Sequence, residues 1–374
     1  MRLPALSRRQ MLLSLGMGGV ALSGAQRVIA DPIFIDYPFQ LGVASGDPLP
    51  DGFVIWTRLA PNPLEIGHGM PSAAVPVKWE VATDTGFSSP VRSGEAMARP
   101  ELGHAVHVEV EGLDPGRPYF YRFVAGRERS AIGRAMTAPA AGATVDRARF
   151  GVLGCQAYEQ GFYTAHRKAA DERFDFIYCY GDYIYEGRSS RLYNGSGGTF
   201  ENPRQHLGGE VYSLDDYRRR YAQYKMDADL QACHASTAWF CTWDDHEIDN
   251  NWVAALDQDG TPPEVFMLRQ QAAMQAWYEN MPVRRSAFPK GSSLQLYRQA
   301  GWGSLLDLNL LDTRQYRSDQ PCDDSWATSC AGVTDRNAQV LGEAQEQWLY
   351  RNLDRSQARW KVLAQQIMLM DLDR

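Results

Sequence analysis

The length and charge of the chain exclude several classes of protein. Its 374 residues suffice for two domains with a large core. A formal net charge of -7 argues against a broad nucleic-acid-binding surface, which needs clustered Lys and Arg. The 18 Tyr and 10 Trp favour β-rich structure and argue against disorder.

The first thirty residues are typical of a targeting segment. Arg2, Arg8 and Arg9 form a basic start, residues 11–25 are apolar and Gly-rich, and small residues up to Ala30 offer a cleavage site. The apolar run is too short and too rich in Gly for a stable membrane span. The Arg8-Arg9 pair favours a twin-arginine signal, which makes that export machinery a partner; an ordinary secretion signal is the alternative. Both interpretations predict a secreted or periplasmic protein, and we expect a monomer.

Residues 33–139 carry short alternating strands separated by Gly and Pro turns. The segments are FQLGVASG, GFVIWTRL, VPVKWEVATD, HAVHVEVEGL and PYFYRFVAG. This spacing is typical of an antiparallel β-sandwich. Residues 112–121 resemble the turn and tyrosine corner of a fibronectin type III-like domain. We therefore expect an all-β N-terminal sandwich, followed by a small-residue linker at residues 138–146.

From residue 147 the pattern changes to alternating strands and helices. RFGVLGCQ predicts a strand, FYTAHRKAADE a helix and FDFIYCYGD a second strand, which together form a parallel βαβ unit. More helices are predicted at SLDDYRRRYAQYK, PPEVFMLRQQAAMQAWYENM and GEAQEQWLYRNLDRS, and more strands at AWFC, within SLQLYRQAGWGSLLDLNLL and at RWKVLAQQIMLM. Residues 188–212 show no hydrophobic periodicity, which predicts a long loop. Residues 147–374 are therefore expected to form an α/β domain.

The cysteines predict one disulfide. Cys322 and Cys330 flank a polar loop close in sequence, so they are the expected pair in an exported protein. Cys179, Cys233 and Cys241 lie in apolar stretches, which predicts buried thiols.

Three predicted strands of the second unit end on residues that can bind a metal. Cys155 ends the first, Asp182 follows Gly181 at the end of the second, and the run DDHE at residues 244–247 follows the third. Parallel strands bring their carboxyl ends to one edge, so these side chains should converge. Alone, Asp182 equally suits a helix cap or turn, and DDHE suits a solvated acidic turn. Together they favour a metal site, with Tyr185 facing the same cation.

The ordered motifs resemble the PhoD-like family of secreted alkaline phosphatases and phosphodiesterases, which are related to purple acid phosphatases. The matching pieces are LGVASGDP, VIWTRL, FGVLGCQ, GDYIYE, TWDDHEIDNN and LDTRQYR, and they span most of the chain after the signal. The resemblance implies a metallophosphoesterase-like α/β sandwich over residues 147–374. It also implies hydrolysis of phosphate monoesters or diesters, small or polymeric, for phosphate acquisition, by two-metal activation of a water.

The resemblance also implies the metal ligands. Asp182 would bridge two metals, Tyr185 and Cys155 would bind Fe(III), and Asp245 would replace an amide ligand of related enzymes. Phenolate and thiolate donors favour trivalent iron, whereas carboxylate and amide oxygens suit Ca(II) or another divalent cation.

The same resemblance implies the residues around the substrate. His246 would lie beside the phosphate as a catalytic residue, and Asn250 or Asn251 would lie near the second metal. Arg188 is a candidate phosphate clamp, and a solvated loop residue is the alternative.

The end of the sequence departs from the family pattern. His246 is the last histidine, whereas metallophosphoesterases complete their site with a later Gly-Asp-x-His-like or His-x-His segment. We therefore expect a C-terminally truncated phosphatase domain, either a fragment of a longer protein or a natural truncation. The alternative function is a non-catalytic exported binding module, or an inactive fragment that lacks the C-terminal metal ligands.

Overall fold

The computed structural model describes residues 32–189, 192–193, 199–324 and 330–370. The predicted signal at residues 1–30, with its Arg pair, lies outside the described residues, as does part of the predicted loop at 188–212. Within the described part of the chain, no helix has the length and apolar character needed to cross a membrane.

The fold combines many short strands with five helices of two to five turns in the described ranges. The strands are β1 (Val43–Leu49), β2 (Gly52–Arg58), β3 (Val75–Ala82), β4 (Arg92–Ala98), β5 (Ala105–Val110), β6 (Pro118–Ala125), β7 (Glu128–Arg129), β8 (Gly133–Met136), β9 (Phe150–Leu153), β10 (Phe176–Cys179), β11 (Leu192–Tyr193), β12 (Thr199–Phe200), β13 (Ala238–Cys241), β14 (Arg298–Trp302), β15 (Leu306–Leu310) and β16 (Trp360–Ala364). The helices are α1 (Thr164–Asp171), α2 (Leu214–Lys225), α3 (Ala228–Ser236), α4 (Pro263–Asn280) and α5 (Glu343–Arg355).

The N-terminal strands form the expected β-sandwich. One sheet has the order β4-β3-β6-β7, with β8 also paired to β6, and it faces strands β5, β2 and β1 across an apolar core. Side chains of β6 alternate between buried and less buried positions, as a strand with one face on the core requires. The backbone N–H of Asp114 donates to the Tyr119 hydroxyl at 2.9 Å, which confirms the tyrosine corner.

The sandwich and the α/β part share one sheet. Strand β1 pairs in parallel with β13, Ser45 opposite Ala238 and Gly46 opposite Trp239, so one six-stranded sheet runs β5-β2-β1-β13-β10-β9. Close approach requires Gly46 here, because a Cβ on it would lie 2.0 Å from the Pro282 carbonyl oxygen. The sequence pattern predicts two units joined by a linker, and this shared sheet was not predicted.

The α/β part is layered on both faces of the shared sheet. Strands β9, β10 and β13 are parallel and adjacent, and α1 connects β9 to β10, which confirms the βαβ prediction. Helices α2, α3 and α4 contribute to the large core that includes Ile177 and Trp239 of the sheet. On the other face Phe176 packs 5.0 Å from Trp302, a residue of the three-stranded sheet β14-β15-β16. These layers therefore cover the three parallel strands from both sides.

The cysteine predictions are confirmed. Cys322 and Cys330 form a disulfide, and Cys179, Cys233 and Cys241 are buried free thiols.

Candidate metal centre

The carboxyl ends of three neighbouring parallel strands lie level with one another. The last residue of β10, Cys179, is in register with the last residues of β9 and β13. The loops that follow these strands carry Cys155, Asp182 and residues 244–247. The structure therefore confirms that the three loops meet at one edge of the sheet.

Gly181 allows the loop after β10 to touch the loop after β13. Its φ is +126°, and a Cβ on it would lie 2.1 Å from the backbone nitrogen of Asp244. The next residue, Asp182, has a φ of +51°, which is uncommon for a non-glycine residue and needs support from its surroundings. This backbone path brings the Asp182 carboxylate within 4.8 Å of ligand atoms on Asp245 and His246.

The two oxygens of the Asp182 carboxylate have different surroundings. Oδ2 accepts hydrogen bonds from the Tyr185 hydroxyl at 3.1 Å and from the Cys155 thiol at 3.3 Å. Oδ1 is buried and has no hydrogen-bond partner in the described structure. A buried carboxylate oxygen without a partner costs free energy unless a cation or water satisfies it.

Burial raises the pKa of each group around the Asp182 carboxylate. Burial, and secondarily the charge of Asp182, raises the pKa of the Cys155 thiol to about 12 and also raises the pKa of the Tyr185 phenol. Burial raises the pKa of Asp182, against the opposing charge of His246. A bound cation would favour the ionised forms of all three groups, so metal binding here would release protons.

Asp245 is held by Arg314, which lies in the loop after β15. Arg314 Nη2 donates to Asp245 Oδ1 at 3.1 Å, and Arg314 Nε donates to Asp244 at 2.6 Å. The backbone N–H of Asn251 donates to Asp245 Oδ2 at 2.8 Å. Burial alone would raise the pKa of Asp245, but the charges of Arg314 and His246 outweigh it and lower the pKa. Asp245 is therefore an ionised carboxylate with a fixed orientation.

His246 is oriented by Glu186. Its Nδ1 lies 2.7 Å from Glu186 Oε2, and its ring packs against Tyr185 in a tilted arrangement with 4.1 Å between ring centroids. Burial would lower the pKa of His246, but the hydrogen bond and charge of Glu186, with the charges of Asp245 and Asp182, raise it to about 9. Because Nδ1 is occupied by Glu186, Nε2 is the ring nitrogen available to a metal or a substrate.

Glu247 lies behind the two loops, fully buried. Its carboxylate accepts backbone N–H groups from Asp182, Tyr183 and Asp244 at 3.1, 2.6 and 2.9 Å. Burial, with the charge of Asp182, raises the pKa of Glu247 to about 8. Glu247 thus joins the loop after β10 to the loop after β13 from the interior.

These side chains together fit a cation. The strand-end cluster consists of Asp182, Glu186, Asp244, Asp245, His246, Glu247 and Arg314. It contains more carboxylates than cationic groups, and ligand atoms from Asp182, Asp245 and His246 lie within 4.8 Å of one another. A surplus of buried carboxylates that includes an oxygen without a hydrogen-bond partner is the environment expected of a hard cation's binding site.

The other residues predicted for the site lie around this cluster. The Asn250 side chain donates to Gln258 at 2.8 Å, and its backbone N–H donates to Glu186 at 2.8 Å. Asn251 contributes the backbone N–H to Asp245 described above. Arg188 is exposed and lines a cavity of about 180 Å³ together with Tyr185 and His246. Arg188 therefore lies at the entrance to the site rather than in its interior.

Sequence reasoning assigned no individual role to Glu186 and Arg314, which lie within the motifs GDYIYE and LDTRQYR. It treated Glu247 only as one oxygen donor of the run at residues 244–247 within TWDDHEIDNN. Their position inside these motifs was the available signal, but what they contact depends on how distant segments meet.

Comparison with known proteins agrees with this geometry. The model described as PhoD-like phosphatase matches residues 150–374, and that described as PhoD-like phosphatase, N-terminal domain, matches residues 25–139. Alkaline phosphatase D of Bacillus subtilis (strain 168) is 49% identical over 355 residues, which make up 95% of this chain and 60% of that relative. A solved structure of PhoD aligns with a TM-score of 0.87 and 50% identity over 90% of this chain and 64% of that chain.

The chain thus spans about 60% of the length of the curated relative that it matches. The two family models together cover most of the sequence, in the order in which the sandwich and the strand-end cluster occur. The chain belongs to the PhoD-like phosphatase family.

Proposed function

We propose that the full protein is a metal-dependent hydrolase of phosphate monoesters or diesters and that the strand-end cluster is part of its active site. The observation that carries the proposal is the convergence of Asp182, Asp245 and His246, with an unpartnered buried oxygen on Asp182. Membership of the PhoD-like phosphatase family supports it.

The donor set indicates which residues would hold metal. Asp182 would bridge two ions, Tyr185 and Cys155 would complete an Fe(III) site, and Asp245 would bind Ca(II) or another divalent cation, with Asn250 or Asn251 nearby. When bound, such ions lower the pKa of a water and neutralise phosphoryl oxygens.

Side chains that face the site would donate the proton, bind the phosphate and orient the imidazole. His246, anchored through Nδ1 by Glu186, can donate from Nε2 to the leaving alkoxide oxygen. Arg188 at the cavity entrance can pair with a non-bridging phosphate oxygen. The Tyr185 ring packs against the His246 ring and thereby limits rotation of the imidazole.

The test is hydrolysis of an aryl phosphate and a bis-aryl phosphodiester by the full-length protein at alkaline pH. We expect Asp182→Asn to reduce the rate at least about a thousandfold, since losing a single oxyanion donor already costs about 10²–10³-fold. Chelation should remove the wild-type activity, and added metal should restore it. Glu279→Gln, a matched change at a fully buried carboxylate elsewhere, should keep most of the activity. Wild-type rates in Asp182→Asn would refute the assignment.

The iron assignment has a spectroscopic test. A Tyr185 phenolate bound to Fe(III) should absorb visible light, and Tyr185→Phe should remove that band without unfolding the protein. An iron-loaded wild type without colour would contradict the role of Tyr185.

We further propose that residues 1–30 are a twin-arginine signal, followed by a sandwich at 33–139 and a phosphatase domain at 147–374, and that the secreted or periplasmic monomer serves phosphate acquisition. A change of Arg8 and Arg9 to Lys should leave a folded precursor in the cytoplasm, because the pair keeps its charge but loses the guanidinium groups. An ordinary secretion signal needs only positive charge, so undiminished export of the Lys-Lys variant would contradict the proposal.

A further inference from the structure

Glu247 satisfies donors that belong to two different loops. Its Oε1 accepts the N–H of Tyr183 at 2.6 Å, and its Oε2 accepts those of Asp182 at 3.1 Å and Asp244 at 2.9 Å. The side chain is fully buried, so water cannot replace these three hydrogen bonds. A single carboxylate therefore connects the loop after β10 to the loop after β13.

The two connected loops carry the residues proposed to bind metal. Asp182 lies in the first, with a φ of +51° that surrounding contacts must stabilise, and Asp245 lies in the second, directly before His246. The loops touch at Gly181, where a Cβ would lie 2.1 Å from Asp244 N. The separation of the Asp182 and Asp245 carboxylates therefore depends on how firmly the two loops are joined.

We propose that Glu247 is a positioning residue for the metal: by joining the two loops it sets the distance between the carboxylates of Asp182 and Asp245. The inference rests on the proposed metal site and is independent of the substrate and the reaction. It differs from two simpler roles for Glu247, namely general support of the fold and supply of negative charge to a nearby cation.

Two variants of Glu247 separate these roles. Glu247→Gln keeps the length of the side chain but puts an amide NH₂ against at least one of the three backbone N–H groups. Glu247→Asp keeps the charge but shortens the side chain by one methylene, so it cannot reach all three donors. The control is Glu279→Gln, because Glu279 is also fully buried and binds Arg218, outside the strand-end cluster.

The experiment measures Mn²⁺ binding to the chelator-treated full-length protein by calorimetry, together with thermal unfolding of each metal-free variant. We expect both Glu247 variants to bind Mn²⁺ about 10- to 100-fold more weakly than the wild type, the range found for groups that orient metal ligands. Glu279→Gln should lower thermal stability and leave Mn²⁺ affinity within about twofold.

The alternative results overturn the proposal in distinct ways. If Glu247→Asp binds Mn²⁺ with wild-type affinity, the charge of Glu247 matters rather than its position. If a folded Glu247→Gln binds Mn²⁺ with wild-type affinity, Glu247 does not act on the metal. If Glu247→Gln fails to fold, Glu247→Asp decides alone. If Glu279→Gln weakens Mn²⁺ binding as much as the Glu247 variants do, Glu247 has only a structural role. A wild-type protein that binds no Mn²⁺ refutes the metal site itself, which separates failure of the proposed function from failure of this inference.

Discussion

Two buried groups of charged side chains in this protein differ in their charge balance. The strand-end cluster holds several carboxylates against Arg314 and His246. The second group, the sandwich-helix cluster, lies where β2 of the sandwich meets α2 and α4, and consists of Arg58, Arg218, Glu279 and Asn280. There Arg218 binds both oxygens of Glu279, at 2.7 and 2.6 Å, and Arg58 donates to Asn280.

This difference in charge balance indicates that the two clusters have different roles. In the sandwich-helix cluster the buried Glu279 carboxylate is matched by a cation that the chain itself provides. In the strand-end cluster the cations of the chain are too few, so an added cation would complete the balance. The first cluster should therefore govern stability, and the second should govern metal binding.

The largest effect is expected at the sandwich-helix cluster, from Arg218→Ala. The substitution leaves Glu279 fully buried without its bidentate partner, and breaking a buried pair in this way costs about 3–5 kcal/mol. Denaturant unfolding of the metal-free protein measures the change. Arg219→Ala is the control: its ion pair with Asp216 is partly exposed, so it should cost less than about 1 kcal/mol. Equal effects from the two substitutions would contradict the structural role.

The next effect is a pH dependence at His68, which lies near the sandwich-helix cluster. Burial, backed by the charges of Arg58 and Arg218, lowers the pKa of His68 to about 3, while the hydrogen bond to the Pro63 carbonyl acts in the opposite direction. The unfolded chain therefore binds more protons than the folded protein between pH 3 and the ordinary histidine pKa of about 6.5, so stability falls as pH falls through this window.

His68→Asn should remove that pH dependence. Asn can keep the donor to the Pro63 carbonyl and tolerates the φ of +55° at this position. We expect the variant to gain roughly 2–3 kcal/mol relative to the wild type between pH 7 and pH 4, measured by denaturant unfolding. Parallel stability curves for the two proteins would show that His68 protonates freely in the folded state.

A smaller effect is expected at the strand-end cluster, from Glu186→Gln. Glu186 accepts from the Asn250 backbone and orients His246, so its loss should reduce phosphatase activity of the full-length protein about 10-fold or more without unfolding it. The activity ratio and the thermal midpoint should be measured on the same samples. If activity falls only as much as the amount of folded protein falls, Glu186 stabilises the fold and does not orient His246 for the reaction.

Sequence reasoning found the strands and strand ends that build the strand-end cluster. The nearly continuous apolar run before Gly181 identified β10, and a carboxylate directly after such a strand identified Asp182. The pairing of Arg314 with Asp244 and Asp245 was not predictable, because it joins segments about 70 residues apart that share no local pattern. Glu247 was seen as an oxygen donor, but its three backbone partners depend on how the two loops fold against each other.

The shared sheet was missed for a related reason. Short strands with Gly and Pro turns look alike in a sandwich and at the edge of a mixed sheet. A signal was nevertheless present: β2 is buried along its whole length, and its sequence GFVIWTR is continuously apolar up to Trp56, as in a strand covered on both faces. Helix α3 was also missed, since DADLQACHAS has little apolar periodicity, although Asp227 caps it.

The most direct test of the central claim is the stabilisation of the full-length protein by metal. Mn²⁺ at about 100 times its Kd should stabilise a protein with one such site by about 2.7 kcal/mol and raise the thermal midpoint. We predict this shift for the wild type and for Glu279→Gln, and its absence in Asp182→Asn, although that variant folds without metal. An equal metal-induced shift in Asp182→Asn would contradict the assignment of the strand-end cluster as the metal site.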